Sequence, residues 1–327
     1  MPKSRKRPRP KRRHKRPGRD PLAVERMFDQ VANAPHTGAP PVLYHYTTWG
    51  GVQGIVASQR LWATAHDCTN DVAELVSAGA VIIEVAKELR KNATGAAAEV
   101  LRRFVERYAA LQVTRVITVC LACFSVARDD EQQWRKYGDD GRGVCLGIKV
   151  LDEPAPADPP SALVKVDYSE SSWLSDVATH FGKVCVLLSR VEPSRKNCEL
   201  GLSALYQFAA FASIGAKRAE WAVEQEFRKV TLVSQNSKIH LNEREAEGKV
   251  KRYLPVQVRV EGKRIAFSEI IVGPNRTIED SRDQLKKALA NQGYEVGDIE
   301  FPEITASAIP PWAVSNKSWP PEGDGSK

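Results

Sequence analysis

The longest apolar run of the sequence lies in the middle of the chain, at Val116–Ser125 (VITVCLACFS). It is rich in β-branched residues, and it is far shorter than the ~18 apolar residues that a membrane-spanning helix needs. Runs of this kind are typical of a strand that is covered on both faces. The sequence therefore predicts a sheet with this segment as its buried central strand.

Apolar spacing and capping residues predict the elements around this strand. Strands are predicted at Val42–Tyr46, Leu61–Thr64, Gly143–Val150 and Leu163–Tyr168. Helices are predicted at Trp49–Gln59 with Thr48 as N-cap, through Val81–Leu89 after a cap at Asn70-Asp71, and at Gly95–Leu111, Asp129–Tyr137, Trp173–Leu188 and Leu200–Ile214.

The last third of the chain predicts a hairpin with arms Arg252–Val260 and Arg264–Val272. Thr277 and Asp280 form the pattern of a capping box for a helix that ends at Gly293, and Tyr294–Ile299 is predicted as the last strand. No internal repeat and no Ser/Gly-rich linker divides residues 42–310. These observations predict one mixed α+β domain over residues 42–311, between a connector at 21–41 and a flexible end at 312–327.

Positive charge is concentrated at the start of the chain. Residues 1–20 hold eleven Lys and Arg and one Asp, a charge of +10, which leaves −2 for the rest out of a formal total of +8. Apart from Met1 this tail lacks apolar residues, so we expect it to be disordered and not a secretory signal. Such a polycation is suited to bind nucleic acid, an anionic membrane surface or a nuclear import receptor. The alternative is a solubilising extension without a specific partner. The candidate nucleic-acid contacts are Arg5, Lys6, Arg7, Arg12 and Arg13.

Cysteine usage bears on the compartment. Six cysteines without a signal sequence suggest reduced thiols, and with no apolar run long enough to span a bilayer we expect a cytoplasmic location. Cys120 and Cys123 form a Cys-x-x-Cys, but their neighbours are apolar and no second ligand pair completes a zinc site. This favours core thiols over a metal-binding or redox pair, and no metal is expected.

A charged stretch comes late in the chain, at Glu220–Val233 (EWAVEQEFRKVTLV). In a strand, Glu224, Glu226 and Arg228 share one face and form either a solvated edge or a site that handles a cation. In a helix, Glu224 and Arg228 form an exposed i,i+4 pair. The β-branched and apolar residues after Arg228 favour the strand. The pattern leaves a functional and a structural carboxylate pair both open.

Two further residues have chemistry that suits a site. His45 lies at the end of the first predicted strand and is the candidate catalytic histidine among the six, although a histidine in such a place is more often a structural hydrogen-bonding residue. Ser125 ends the buried run, where its hydroxyl either faces a cleft or caps the strand end. The sequence has no Gly-x-Ser-x-Gly and no glycine-rich phosphate loop after a strand. What remains is a histidine, a serine and a glutamate pair.

Five blocks in a fixed order resemble the bacterial domain of unknown function 2971 (DUF2971) family. They are LYHYTTWGGVQGIVASQRLWAT, NDVAE, VCLACFS with QQWRKYGDDGRGVCLGI, EWAVEQEFR and FSEIIVGPN. The resemblance covers about Val42 to Pro311. Since this family is poorly characterised, the resemblance names a relationship and no reaction.

The layout is also similar to the ADP-ribosyltransferase superfamily. Its members carry His or Arg on a first strand with Ser or Thr two residues later, an aromatic or Ser-containing motif on a second strand, and Glu on a late strand. The matching residues are His45 with Thr47, Phe124 with Ser125, and Glu224 with Glu226, with Tyr137 as the alternative aromatic residue. The resemblance implies a central, split, antiparallel-rich sheet flanked by helices, with NAD as substrate.

The resemblance also implies a role for each residue. Breaking the nicotinamide–ribose bond of NAD builds positive charge on the ribose, and Glu226 is the carboxylate that stabilises it. Glu224 orients or deprotonates the acceptor, His45 and Thr47 anchor NAD, and an aromatic ring stacks on nicotinamide. Arg228 is expected to pair with a glutamate. We expect Glu226→Gln to lower turnover at least ~100-fold with little loss of stability.

Three functions remain open from the sequence. The first is an NAD-dependent ADP-ribosyltransferase that modifies a protein or nucleic acid, in phage defence or as a toxin. The second is a catalytically inactive nucleic-acid-binding module delivered by the basic tail. The third is a hydrolase of NAD or another nucleotide that uses the same pocket with water as acceptor.

Overall fold

The computed structural model describes residues 39–69, 73–111, 117–149, 161–234, 239–246, 248–257, 260–261, 264–295 and 301–312. Several sequence predictions lie outside these ranges. They are the tail contacts Arg5, Lys6, Arg7, Arg12 and Arg13, the connector as far as residue 38, the cap at Asn70-Asp71, and the end after residue 312.

Strands and helices alternate irregularly along the described chain. The strands are β1 (Val42–Thr47), β2 (Leu61–Ala65), β3 (Ile117–Ser125), β4 (Val144–Lys149), β5 (Ser161–Lys165), β6 (Glu226–Ser234), β7 (Asn242–Ala246), β8 (Lys249–Val256), β9 (Val260–Glu261), β10 (Arg264–Ile265), β11 (Phe267–Val272) and β12 (Glu303–Ala306). The α-helices are α1 (Trp49–Ser58), α2 (Ala73–Asn92), α3 (Gly95–Leu111), α4 (Glu131–Tyr137), α5 (Glu170–Arg190), α6 (Arg195–Gly215) and α7 (Ile278–Ala290).

The main sheet is built around β3, which confirms the predicted central strand. All nine residues of β3 pair with β6 along one edge, and β6 pairs with β5 beyond it. The remaining order is β12-β11-β4-β1-β3-β2-β8-β7. Pairing within the sheet is antiparallel except for β11 with β12, which run parallel. The structure thus confirms a mixed α+β fold with one mostly antiparallel sheet flanked by helices.

Two strands share the second edge of β3. Because β6 occupies the whole of one edge, both β1 and β2 must lie on the other. β1 pairs there only at Ser125, and β2 only at Cys120 and Leu121. The two strands therefore diverge from β3 in different directions, and a gap opens between them beside Cys123.

The helices cover the sheet in two groups. α2, α3, α5 and α6 pack around an apolar cluster of their own that includes the fully buried Phe104, Phe181 and Leu205. α1 and α7 instead pack against the main core, the apolar cluster that includes Leu43, Phe124 and Phe227 of the sheet. N-cap side chains begin several of these helices: Thr48 accepts a hydrogen bond from a backbone N–H of α1, and Asp130 accepts two from α4.

Three predictions near the end of the chain are wrong. The hairpin is limited to β9 and β10, because β8 pairs with β2 and β7 while β11 pairs with β4 and β12. Thr277 precedes α7, but its side chain makes no capping hydrogen bond, and the helix ends at Ala290. Tyr294 and Glu295, the described part of the predicted last strand, are not in a strand; β12 takes that place.

Among the helices in the described part of the chain, none is both long enough and apolar enough to cross a bilayer.

Candidate functional site

A pocket lies where β1 diverges from β3. Its volume is about 80 Å³. It is lined by Tyr44, His45, Tyr46, Cys123, Phe124, Ser125, Gln133, Tyr137, Glu224 and Glu226. Six of the seven predicted catalytic and cofactor-binding residues thus line one cavity. Thr47 does not, because its hydroxyl lies against the first turn of α1 instead, over Gly51.

Backbone geometry brings the two glutamates together. The predicted strand is wrong for its first residues, because Ala219–Glu224 forms a 3-10 helix. Gln225 then takes a left-handed conformation with φ of 43°, and the strand begins at Glu226. Ser125 donates a hydrogen bond of 2.7 Å to the carbonyl of Glu224, which fixes this turn against the end of β3.

Glu226 sits in a buried ion pair. Arg228 donates to both of its carboxylate oxygens at 2.9 Å, and Lys217 donates to one of them at 3.0 Å. The expected pairing of Arg228 with a glutamate is therefore confirmed. Burial alone would raise the pKa of Glu226, but the charge and hydrogen bonds of Arg228, with Lys217, outweigh it and lower the pKa to about 2. Glu226 is therefore ionised at neutral pH.

Glu224 is buried in the same cluster. It accepts hydrogen bonds from Lys217 at 2.5 Å and from the Tyr137 hydroxyl at 3.0 Å, and it forms an ion pair with Lys136. The ammonium of Lys136 also lies 3.8 Å from the ring centroid of Trp221. Burial lowers the pKa of Lys136 despite the neighbouring carboxylate, and burial, followed by Glu224, raises that of Tyr137.

His45 has a defined tautomer. Its Nδ1 lies 2.8 Å from the carbonyl oxygen of Cys123, which can only accept, so Nδ1 carries the proton and the neutral ring leaves Nε2 as an acceptor. Burial lowers the pKa of His45, although the bond to Cys123 acts in the opposite direction. The ring also lies 5.9 Å from that of Phe124, centroid to centroid.

His45 and Glu226 project from opposite faces of the sheet. Phe124 and Phe227 are directly paired and lie in the main core with Leu43, so alternation places His45 on that face. Glu226, next to Phe227, lies on the other face. β1 and β3 pair only at Tyr44 and Ser125 and then separate. The cavity passes through the gap between the two strands, so the side chains of His45 and Glu226 both reach it from their opposite faces.

No family model, no curated protein and no solved structure matches this chain. The likeness to DUF2971 proteins and to ADP-ribosyltransferases therefore remains a prediction from the sequence.

The sequence analysis missed the cations that hold the two glutamates. Lys217 follows the end of α6 and Lys136 lies in α4, so only folding brings them to β6. It also missed four lining residues: Tyr44, Tyr46, Cys123 and Gln133. Period-two alternation on β1 and β3 gives Tyr44, Tyr46 and Cys123 a common face with Ser125, which is a usable signal.

The two cysteines of the Cys-x-x-Cys are free thiols that lie apart. Cys120 is buried in the main core, whereas Cys123 lies on the face of Glu226, and burial raises the pKa of both thiols. Within the described ranges, no group of three or more His, Cys, Asp or Glu side chains is placed to hold a metal ion.

Proposed function

We propose that the pocket binds the nicotinamide end of NAD and that the chain is an ADP-ribosyltransferase-like enzyme. The observation that carries this proposal is the meeting of His45, Tyr137 and Glu226 at one cavity, although they come from β1, α4 and β6. The acceptor is a macromolecule, and the basic tail supports a polyanion such as nucleic acid.

The reaction breaks the bond between ribose C1′ and the nicotinamide nitrogen. Nicotinamide leaves with the bonding electron pair and becomes neutral, and the positive charge passes to the ribose. The acceptor then forms a bond to C1′ and loses a proton to a base. Glu226, ionised at neutral pH, supplies the negative charge that stabilises the cationic ribose, and His45 Nε2 accepts a hydrogen bond from a ribose hydroxyl.

Glu226 has capacity to contact substrate in spite of its ion pairs. A carboxylate offers about four acceptor sites. Arg228 and Lys217 occupy three of them, which leaves about one acceptor site for a ribose hydroxyl. Arg228 then acts by fixing the orientation of the carboxylate.

The size of the pocket limits what enters it. Ligand pockets usually measure about 300–1,000 Å³, whereas this one measures about 80 Å³. The cavity therefore takes only the nicotinamide ring or its ribose, and the rest of NAD has to lie outside it.

A second function, binding without catalysis, is favoured by the charge of the cluster. Glu224 and Glu226 are surrounded by Lys136, Lys217 and Arg228, which gives a net charge of +1. A positive cluster opposes a cationic ribose and suits an anionic ligand. This observation supports an inactive module. The enzymatic proposal requires that Glu226 stabilise the ribose by direct contact, despite the net positive charge of the cluster.

Incubation of the full chain with NAD labelled in its adenylate group tests the proposal. We expect label on a macromolecule, with turnover reduced at least ~100-fold in Glu226→Gln. Because this variant also loses a buried ion pair, His45→Asn is the second variant: its amide can still donate to the Cys123 carbonyl, but Nε2 is gone. Release of free ADP-ribose would identify a hydrolase, and equal behaviour of wild type and both variants would establish the binding module.

Removal of residues 1–20 tests the polyanion partner. If the tail contacts phosphates, deletion lowers affinity for nucleic acid and flattens the dependence of that affinity on salt. Unchanged affinity and unchanged salt dependence would contradict this role.

A further inference from the structure

An aromatic and cationic platform lies across the gap from His45. The rings of Trp62 and Tyr253 are 5.2 Å apart, centroid to centroid. The guanidinium of Arg244 lies 5.0 Å from the Trp62 centroid and 5.8 Å from that of Tyr253. We call these three half-buried residues the Trp62 platform. Such combinations of rings and guanidinium planes are the surfaces on which nucleobases stack.

Strand register places the platform beside the pocket. Thr64 pairs with Leu121 on one side and Tyr253 on the other, so alternation puts Trp62 and Tyr253 on the face that carries Cys123. If the pairing of β2 with β3 continued for two more residues, Trp62 would pair with Cys123. The two strands have separated at this point, so Trp62 lies at the edge of the gap. The platform and His45 therefore border the same gap.

Electrostatics agree with this placement. Burial is the main cause of the low pKa of His45, and the positive charge of Arg244 contributes to it.

A second cation adjoins the Trp62 platform. Arg244 and Lys251 are direct partners across β7 and β8, so their side chains share one face of the strands. Two neighbouring cations on the face of the rings suit an anionic ligand such as a phosphate or pyrophosphate.

We propose that the Trp62 platform binds the adenine nucleotide half of NAD. The base stacks on the Trp62 platform, and the phosphates lie against Arg244 and Lys251. This inference rests on the proposed function, because it supplies the place for the part of NAD that the 80 Å³ pocket cannot hold. A base of a single-stranded nucleic acid has the same stacking chemistry and is the competing occupant.

Calorimetric titration of the full chain with AMP and with nicotinamide mononucleotide tests the platform. We expect Trp62→Leu and Arg244→Gln to weaken AMP binding between ~5-fold and ~100-fold, since stacking of a base contributes about 1–3 kcal/mol. Binding of nicotinamide mononucleotide, which lacks adenine but keeps a phosphate, stays unchanged in Trp62→Leu. Trp62→Phe retains most of the affinity because a ring remains.

Control variants separate binding from folding. Trp62 packs over Gly54, so circular dichroism must show that Trp62→Leu is folded, and Arg244→Gln tests the platform if it is not. Arg264→Gln is the matched control, since it removes a guanidinium that lies 5.0 Å from the Tyr294 ring and is not part of the Trp62 platform. It leaves AMP affinity unchanged.

Several outcomes overturn the inference and are distinct from failure of the enzymatic proposal. They are no AMP binding by the wild type, equal AMP affinity in wild type and both variants, or a dependence on Trp62 seen only with oligodeoxythymidylate. If turnover of NAD depends on Glu226 while AMP affinity does not depend on Trp62, the platform proposal is wrong and the enzymatic proposal is retained. If AMP affinity depends on Trp62 while NAD is never cleaved, the platform proposal is retained and the enzymatic proposal is wrong.

Discussion

Replacement of Glu226 by glutamine tests the buried ion pair. The side chains of Glu226 and Arg228 are 7% and 3% exposed, and Lys217 is 8% exposed. Glutamine keeps the shape of glutamate but removes its charge, which leaves two cations with less compensation. Breaking a buried ion pair from one side costs about 3–5 kcal/mol. The structure therefore does not support the expectation of little lost stability.

The pKa of Glu226 gives a second estimate of the same loss. A decrease from 4.5 to about 2 corresponds to about 3 kcal/mol at about 1.4 kcal/mol per unit. Because the folded-state pKa lies below the unfolded value, the contribution is fully present above pH ~4.5 and disappears as the pH falls toward ~2. By pH ~3 more than half of it is gone.

Urea denaturation at pH 7 and at pH ~3.5 measures the effect. We expect Glu226→Gln to lower the free energy of unfolding by about 3 kcal/mol at pH 7 and by less at the lower pH. Glu99→Gln, which removes an exposed glutamate paired with Arg102, is the control and leaves the midpoint unchanged. A loss below about 1 kcal/mol at pH 7, or an equal loss at both pH values, would refute the reasoning.

Three further predictions concern the elements around the pocket. Gly143→Ala should lower the unfolding free energy by about 1–3 kcal/mol in urea denaturation, because the new Cβ would lie 2.1 Å from the Thr47 carbonyl oxygen; an unchanged midpoint would contradict this. Asp130→Ala should lower the unfolding free energy by about 0.5–2 kcal/mol through loss of the α4 cap, whereas Asp130→Asn should retain most of the stability of the wild type in the same assay. His45 should titrate below pH 6.5 by NMR, so that its contribution to stability is present above that pH and declines below it; a midpoint at or above 6.5 would be inconsistent with its burial.

Local pattern sufficed for elements whose signals are continuous in sequence. The apolar run at β3 predicted the central strand, and the helix at Gly95–Leu111 was predicted with its observed bounds. The hairpin failed because alternation describes a strand but not its partner, and β8 and β11 each pair with distant strands. Partner choice depends on packing that is not local.

The candidate site was predictable in part, because some of its residues can be recognised from the local sequence alone. His45 stood out as a histidine at the end of a predicted strand, and the glutamates because Glu224, Glu226 and Arg228 alternate in a stretch that favours a strand. The turn at Gln225 and the ion pairs of Lys136 and Lys217 were not predictable, since each depends on contacts between residues that are far apart in the chain or on a rare backbone conformation.

A crystal structure with a non-cleavable NAD analogue, such as carba-NAD, tests the central claim most directly. The account predicts the nicotinamide end in the gap between β1 and β3, with the ring carbon that is bonded to the nicotinamide nitrogen within ~4 Å of Glu226 and a ring hydroxyl in hydrogen-bond reach of His45. An analogue bound elsewhere, with the ion pair of Glu226 and Arg228 undisturbed and the pocket empty, would contradict it.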